Sequence, residues 1–241
     1  MKRTERHHLK DNEVQRLTRQ AREVVEARGR ELTAIVVVAV VIGGAALGYY
    51  GWRQRVQSRA HQMLAEAEAV QGAQVAQPAT AEQPAQPGAY PNERERSEAA
   101  VAKLKAAADA YPSTEAGIYA RYQQASTLVT LGRPDEAISC YNDVIQHAGD
   151  RIYAQMARLG IAEAHARAGR YDQAIGVFKD LAQQKDGVLP VDGILMQLGR
   201  TYLDAGSAAD AEQTFNRVVE EFPDSPYAGE ARQKLDRLKK T

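Results

Sequence analysis

Cysteine is almost absent from this chain of 241 residues, Cys140 standing alone, so no internal disulfide can staple the fold and cysteine usage does not fix the compartment. Lying one residue before Tyr141, Cys140 reads as a small packing residue rather than a reactive thiol. An excess of charge of either sign is also missing, with 31 basic and 31 acidic residues. That balance gives no overall attraction for nucleic acid and removes it from the expected partners. Missing as well are the spacings that catalysis needs: no glycine loop to cradle a phosphate, no His-Glu-x-x-His or cysteine pair, no serine nucleophile elbow. His7 and His8 have no ligand partners at metal spacing, and His61, His147 and His165 are scattered, reading as surface or packing residues. The expectation is a protein that is not an enzyme and carries neither cofactor nor metal.

What is there is a repeat. Ala100, Ala137, Ala174 and Ala211 are spaced 37 apart, and each is followed four residues later by a large apolar partner: Leu104, Tyr141, Phe178 and Phe215. Gly132, Gly169 and Gly206 stand five residues before the last three alanines, where a helix ends in the left-handed conformation that glycine adopts without cost. Each unit therefore reads helix, glycine turn, helix. A small residue permits close approach of two helices, and the residue four positions on shares its face, so each hairpin buries a stripe against the next. With 44% hydrophobic residues the chain has enough apolar surface for the core of such an α-solenoid.

Leu198, Gly199, Tyr202, Gly206, Ala211, Phe215 and Pro223 resemble the signature of the tetratricopeptide repeat. Other units keep less of it: Gly132, Pro134, Ala137 and Tyr141; Gly169, Tyr171, Ala174 and Phe178; and Ala100, Leu104, Ala107 and Pro112. The family period is about 34 residues. The longer period here is similar to the variant of bacterial envelope proteins, in which a Tyr-Pro-x-Ser type linker, here Tyr111 to Ser113 and Phe222 to Ser225, starts the next hairpin.

A second feature is an absence of charge confined to one stretch. Leu32 to Trp52 is dominated by Ile, Val, Ala and Gly and bounded by Glu31 and Arg53. At about 1.5 Å per residue it reaches roughly 30 Å, the thickness of a hydrocarbon core. Tyr49, Tyr50 and Trp52 gather at one end, as interfacial aromatics do. A transmembrane helix is expected. The competing readings are a buried helix and a cleaved signal peptide, for which Gly44 and Ala46 offer a processing site. The run is apolar on every face, and the preceding segment, with Glu5, Asp11, Glu13, Glu23, Glu26 and Glu31, is too long and too mixed for a secretory leader. Arg16, Arg19, Arg22, Arg28 and Arg30 outnumber Arg53, Arg55 and Arg59, which puts the N-terminus in the cytoplasm and the repeats across the membrane. Ala39, Gly43, Gly44 and Gly48 place small residues on adjacent helix faces, where a second copy or a membrane partner can approach.

Leu9 to Arg30 has helical spacing in Val14, Leu17, Ala21, Val24 and Val25, and Arg53 to Gln71 has it in Val56, Ala60, Met63, Leu64, Ala67 and Val70. The first reads equally as a helix on the membrane surface or in solvent; the second fits the missing first helix of the first hairpin. Ala73 to Asn92, with Pro78, Pro84, Pro87 and Pro91, is a spacer or an insert within that hairpin, and either reading fits the residues. The expected order is a basic, amphipathic tail (1–31), a transmembrane helix (32–52), a juxtamembrane helix (53–72), a Pro/Gln/Ala-rich linker or insert (73–92) and a repeat domain (93–241). The fold class is all-α: one transmembrane helix, then a TPR-like solenoid of hairpins.

In the resembled family the first helix of each hairpin lines a concave groove that receives an extended peptide or a partner helix. Counting back from the turn glycines, the resemblance places Tyr119, Tyr122, Ser126, Glu163, Arg167, Met196 and Arg200 there. The Lys and Asn residues by which cytosolic members clamp a terminal carboxylate are not matched: Tyr122 and Ser126 occupy the first pair, and Gly160, Gly193 and Gln197 the others. The whole architecture resembles the single-pass ancillary subunit of the bacterial Sec translocon. That implies an inner-membrane protein with periplasmic repeats, serving as a chaperone-like accessory of protein export, with translocon components and exported polypeptides as partners. The C-terminal unit also resembles repeats of the outer-membrane assembly lipoprotein and the Tol-Pal coordinator, which implies instead a scaffold for an envelope assembly complex.

Overall fold

The computed structural model describes residues 3–76, 89–149, 152–184 and 187–240. Among them are nine helices and, apart from one isolated β-bridge, no strand. They are α1 (Arg3–Gln71), α2 (Glu93–Ala110), α3 (Glu115–Thr130), α4 (Pro134–Ala148), α5 (Ile152–Arg167), α6 (Tyr171–Ala182), α7 (Val191–Asp204), α8 (Ala208–Glu221) and α9 (Ala228–Leu238). The chain divides into two compact units, residues 1–55 and 56–241. The first is helical from Arg3 onward, so the tail and the apolar run lie in one helix rather than in two.

In the second unit each helix from α2 onward packs on the next, and α3 also packs directly on α5. Three apolar clusters follow one another along this stack. Ala60, Leu64 and Ala67 join Leu104, Ala107, Ala116 and Ala120 in the first. Ile118, Leu128, Tyr141, Val144 and Ala157 belong to the second, and Phe178, Leu195, Tyr202, Phe215, Val218 and Leu235 to the third. Each cluster draws on more than one hairpin, because a helical hairpin alone cannot cover its apolar face. The four register alanines are at most 1% exposed and their four large partners at most 3%. The 37-residue register is the register of the core.

The three glycine turns share one geometry. Gly132, Gly169 and Gly206 have φ of 73°, 72° and 78°. In each, the next residue's N–H reaches back over the helix end: Arg133 to the Leu128 carbonyl at 2.9 Å, Arg170 to His165 at 2.9 Å and Ser207 to Tyr202 at 2.8 Å. This is the Schellman closure, and it needs the positive φ that a side chain resists. The following helix starts with no side-chain cap in any of the three.

The linker between α2 and α3 recurs three periods later. Tyr111 and Phe222 have nearly the same backbone, φ −137° and ψ 54° against φ −134° and ψ 60°. Their N–H groups bond the Ala107 and Val218 carbonyls at 3.2 and 3.1 Å. Thr114 then caps α3 by accepting from Gly117 N at 3.0 Å. Ser225, at the matching place, accepts from Tyr227 N at 3.0 Å and donates to Asp192 at 2.6 Å. Helix α9 is accordingly the first helix of a further unit and packs on α8.

The C-terminal part of α1 contributes Ala60, Leu64 and Ala67 to the same core as α2. Between them the chain is tied at its base: Val75 and Tyr90 form the β-bridge, with Ala76 N on the Tyr90 carbonyl at 2.7 Å and Tyr90 N on the Gln74 carbonyl at 2.9 Å. Arg96 Nη1 also bonds the Ala73 carbonyl at 3.1 Å. Of the insert, residues 77–88, with Pro78, Pro84 and Pro87, lie outside the described residues.

Candidate binding surface

The first helices of the hairpins, α3, α5 and α7, bring most of the expected groove residues together. Tyr119 of α3 meets Tyr153 of α5 with ring centroids 5.9 Å apart, and Tyr122 of α3 meets Tyr141 of α4 at 5.6 Å. Both pairs are tilted, the arrangement that ring quadrupoles favour. Gln123 Nε2 donates to the Tyr119 hydroxyl at 2.9 Å and fixes that ring further. Gly160 of α5 makes room for Tyr141, since a Cβ there would lie 2.3 Å from the ring.

Glu163 of α5 is half-buried beside these rings. Burial holds its carboxyl above the usual carboxylate range, against the opposing influence of Arg167 and of a hydrogen bond from Gln197 of α7. Burial likewise raises the Tyr122 hydroxyl, with Glu163 and Tyr119 adding to the effect, and raises Tyr141 for the same first reason. Charge is costly in this half-dry pocket, so Glu163 holds its proton more tightly than a free carboxyl does. Among the described residues it forms no direct ion pair.

Towards the C-terminus the row is already paired. Arg200 of α7 donates to Gln197 Oε1 at 3.1 Å and to Glu230 of α9 at 2.7 Å. Arg167 is exposed. Ser126 borders a polar hollow of about 210 Å³ with Gln71, Ser97 and Thr127, across which Gln71 Nε2 reaches Thr127 Oγ1 at 3.3 Å.

One expected groove residue is corrected. Met196, two periods beyond Tyr122, is 1% exposed and packs among Phe178, Leu195 and Phe215. A thioether has no polar tip to keep at the surface, and a tyrosine does, so Met196 is fully buried where Tyr122 packs on the core only in part. Its neighbour Gln197 takes the place in the row. Tyr153 was not foreseen: one period before it stands Ala116 and one after it Pro190, so no repetition marks it.

The small residues of the apolar run lie in open space: a Cβ on Gly43, Gly44 or Gly48 would meet no other side chain within 4 Å, and Ala39 is exposed. Tyr49 and Trp52 pack with ring centroids 6.0 Å apart. Among the described residues no group of three or more His, Cys, Asp or Glu side chains is placed to hold a metal ion.

Two family models, both described as tetratricopeptide repeat, match residues 165–235 and 122–188. The chain contains tetratricopeptide repeats. Two crystal structures of nearly identical TPR-like repeats from Podosopora anserina are similar in fold, each with a TM-score of 0.55 at 14% identity. They cover 76% of this chain and 85–86% of those chains. A tetratricopeptide repeat protein from Parabacteroides merdae aligns at 18% identity over 61% of this chain and 55% of its own, with a TM-score of 0.47. No curated protein matches the sequence significantly. The repeats make the chain a protein–protein interaction module, and its N-terminal helix includes one stretch long and apolar enough to cross a membrane.

Proposed function

We propose that this is a membrane-anchored interaction module whose repeats work in the periplasm as an accessory, chaperone-like subunit of protein export. The observation that carries the anchor is the exposed apolar run. Ile35, Val40, Leu47 and Trp52 are between 61% and 76% exposed, a surface that water disfavours and a bilayer accepts. The arginine bias around the run sets the N-terminus in the cytoplasm. The tetratricopeptide row of first-helix side chains then faces the exported chains.

Topology is tested with Lys103→Cys, labelled in intact cells by a membrane-impermeant maleimide; Cys140, at 9% exposure, is a quiet background. Labelling without lysis supports the periplasmic placement, and labelling only after lysis overturns it. Function is tested by photo-crosslinking the full chain in its native membrane from Tyr122 and from Gly44. Channel components and many nascent exported chains support the accessory reading. One recurrent envelope-assembly protein, with no channel component, replaces it with a dedicated scaffold.

A further inference from the structure

Resting on the reading of the first-helix row as a binding groove, we infer that its N-terminal half recognises a lysine or arginine side chain on an extended polypeptide. The cation would sit between the Tyr122 ring and the Glu163 carboxylate, with Tyr119 and Tyr153 beside them. The rings and the carboxylate between them converge on this chemistry.

First, the surface presents the partly exposed rings of Tyr119, Tyr122 and Tyr153, with the buried Tyr141 holding Tyr122 from beneath. Tyr119, Tyr122, Tyr141 and Tyr153 form two tilted ring pairs across α3, α4 and α5, and packing of this kind removes the rotamer freedom a ligand would otherwise have to freeze. Second, the acidic group among them lacks a direct cationic partner among the described residues. Arg167, one turn along α5, acts on Glu163 without forming an ion pair, and Gln197 supplies only a neutral hydrogen bond. Elsewhere four carboxylates meet an arginine across helices: Asp109 and Asp143 on Arg121, Asp135 on Arg170, Glu230 on Arg200. Glu163 is half-buried and has no such arginine, and a carboxylate without a cation is an acceptor whose affinity for one is raised by dry surroundings. Burial raises the Tyr153 hydroxyl as it does that of Tyr122, with Glu115 adding to the effect.

The charge complement of a half-buried carboxylate beside tyrosine rings is a cation, not an acid or a neutral apolar side chain. The chain displays the same pairing within its own fold, where Lys179 Nζ stands 5.6 Å from the Tyr202 ring centroid. A guanidinium suits the site best, since it stacks on a ring and bonds a carboxylate with its edge.

The test uses the full chain in detergent and three fluorescein-labelled extended peptides of alternating serine and leucine. Their central residue is arginine, its neutral isostere citrulline, or glutamate, and affinity is read by fluorescence anisotropy. The arginine peptide is expected to bind about tenfold more tightly than the citrulline peptide, and the glutamate peptide weakest. Glu163→Gln should bring arginine and citrulline within about twofold of each other, as loss of the charge term requires. Its thermal unfolding should show an intact fold. Tyr122→Leu should weaken the arginine peptide more than the citrulline one. Equal binding of arginine and citrulline peptides to the unaltered protein overturns cation recognition and leaves the groove standing. Failure of all three peptides to bind overturns the groove together with it.

Discussion

Glycines of the apolar run and glycines of the repeats are the same residue in opposite surroundings. A Cβ on Gly199 would lie 2.5 Å from the Phe215 ring, and one on Gly160 would lie 2.3 Å from Tyr141. At Gly43, Gly44 and Gly48 the same atom meets open space. At Gly160 and Gly199, then, a missing side chain is a cavity already filled by an aromatic from a neighbouring helix. In the run it is a vacancy facing outward. Small residues alone do not say whether a helix is packed; only the large residue that occupies the gap does.

The sharpest way to break the comparison is to remove that large residue. Phe215→Ala should lower the stability of the repeat unit by about 4 kcal/mol, seen as a leftward shift of the urea unfolding curve followed by circular dichroism. Adding the methyl instead, Gly199→Ala, should cost about 2 kcal/mol through overpacking against the same ring. A near-neutral result there would mean that the ring swings aside and the contact is loose. Gly206→Ala keeps the packing but forces a side chain into φ of 78°, at a cost of about 1 kcal/mol. Gly43→Ala and Gly44→Ala should leave the same unfolding curve unchanged within about 0.5 kcal/mol. A shift beyond that would show that the run is tied to the folding of the repeats.

The smallest effect concerns charge. Because Glu163 has a raised folded pKa, the folded state binds its proton more tightly than the unfolded chain, so wild-type stability falls as pH rises through that folded pKa. Glu163→Gln should therefore be the more stable form at and above neutral pH. Its advantage should close as pH falls below the ordinary glutamate value of about 4.3. Paired thermal melts at several pH values read this directly, and an advantage that persisted into acid would count against burial as its cause.

How far these features were visible in the residues themselves depended on whether a physical demand repeated. The turns at Gly132, Gly169 and Gly206 were legible because only glycine meets their backbone geometry at little cost, and the demand recurs every 37 residues. The core alanines and their large partners were legible for the same reason. The first hairpin was not settled, since the insert after Gln71 breaks the period, and the residues from Ala73 to Asn92 read equally as a spacer. Main-chain bonds between Ala76 and Tyr90 and between Tyr90 and Gln74 join the two ends of that stretch, and such bonds leave no side-chain mark. Of the surface row, Tyr119, Tyr122, Ser126, Glu163, Arg167 and Arg200 stand on the first helices as counted. Met196 does not stay at the surface, because periodicity carries a position and not the polarity that turns a side chain outward. Tyr153 and the role of Gln197 depend on contacts between helices that have no counterpart one period away.

The tie at the base of the first hairpin has a consequence for engineering. Val75 and Tyr90 meet whatever lies between them, and the entropy of closing a loop grows only with the logarithm of its length, so doubling it costs about 0.6 kcal/mol. A longer chain between these two residues should therefore cost little and leave the helices on either side in register.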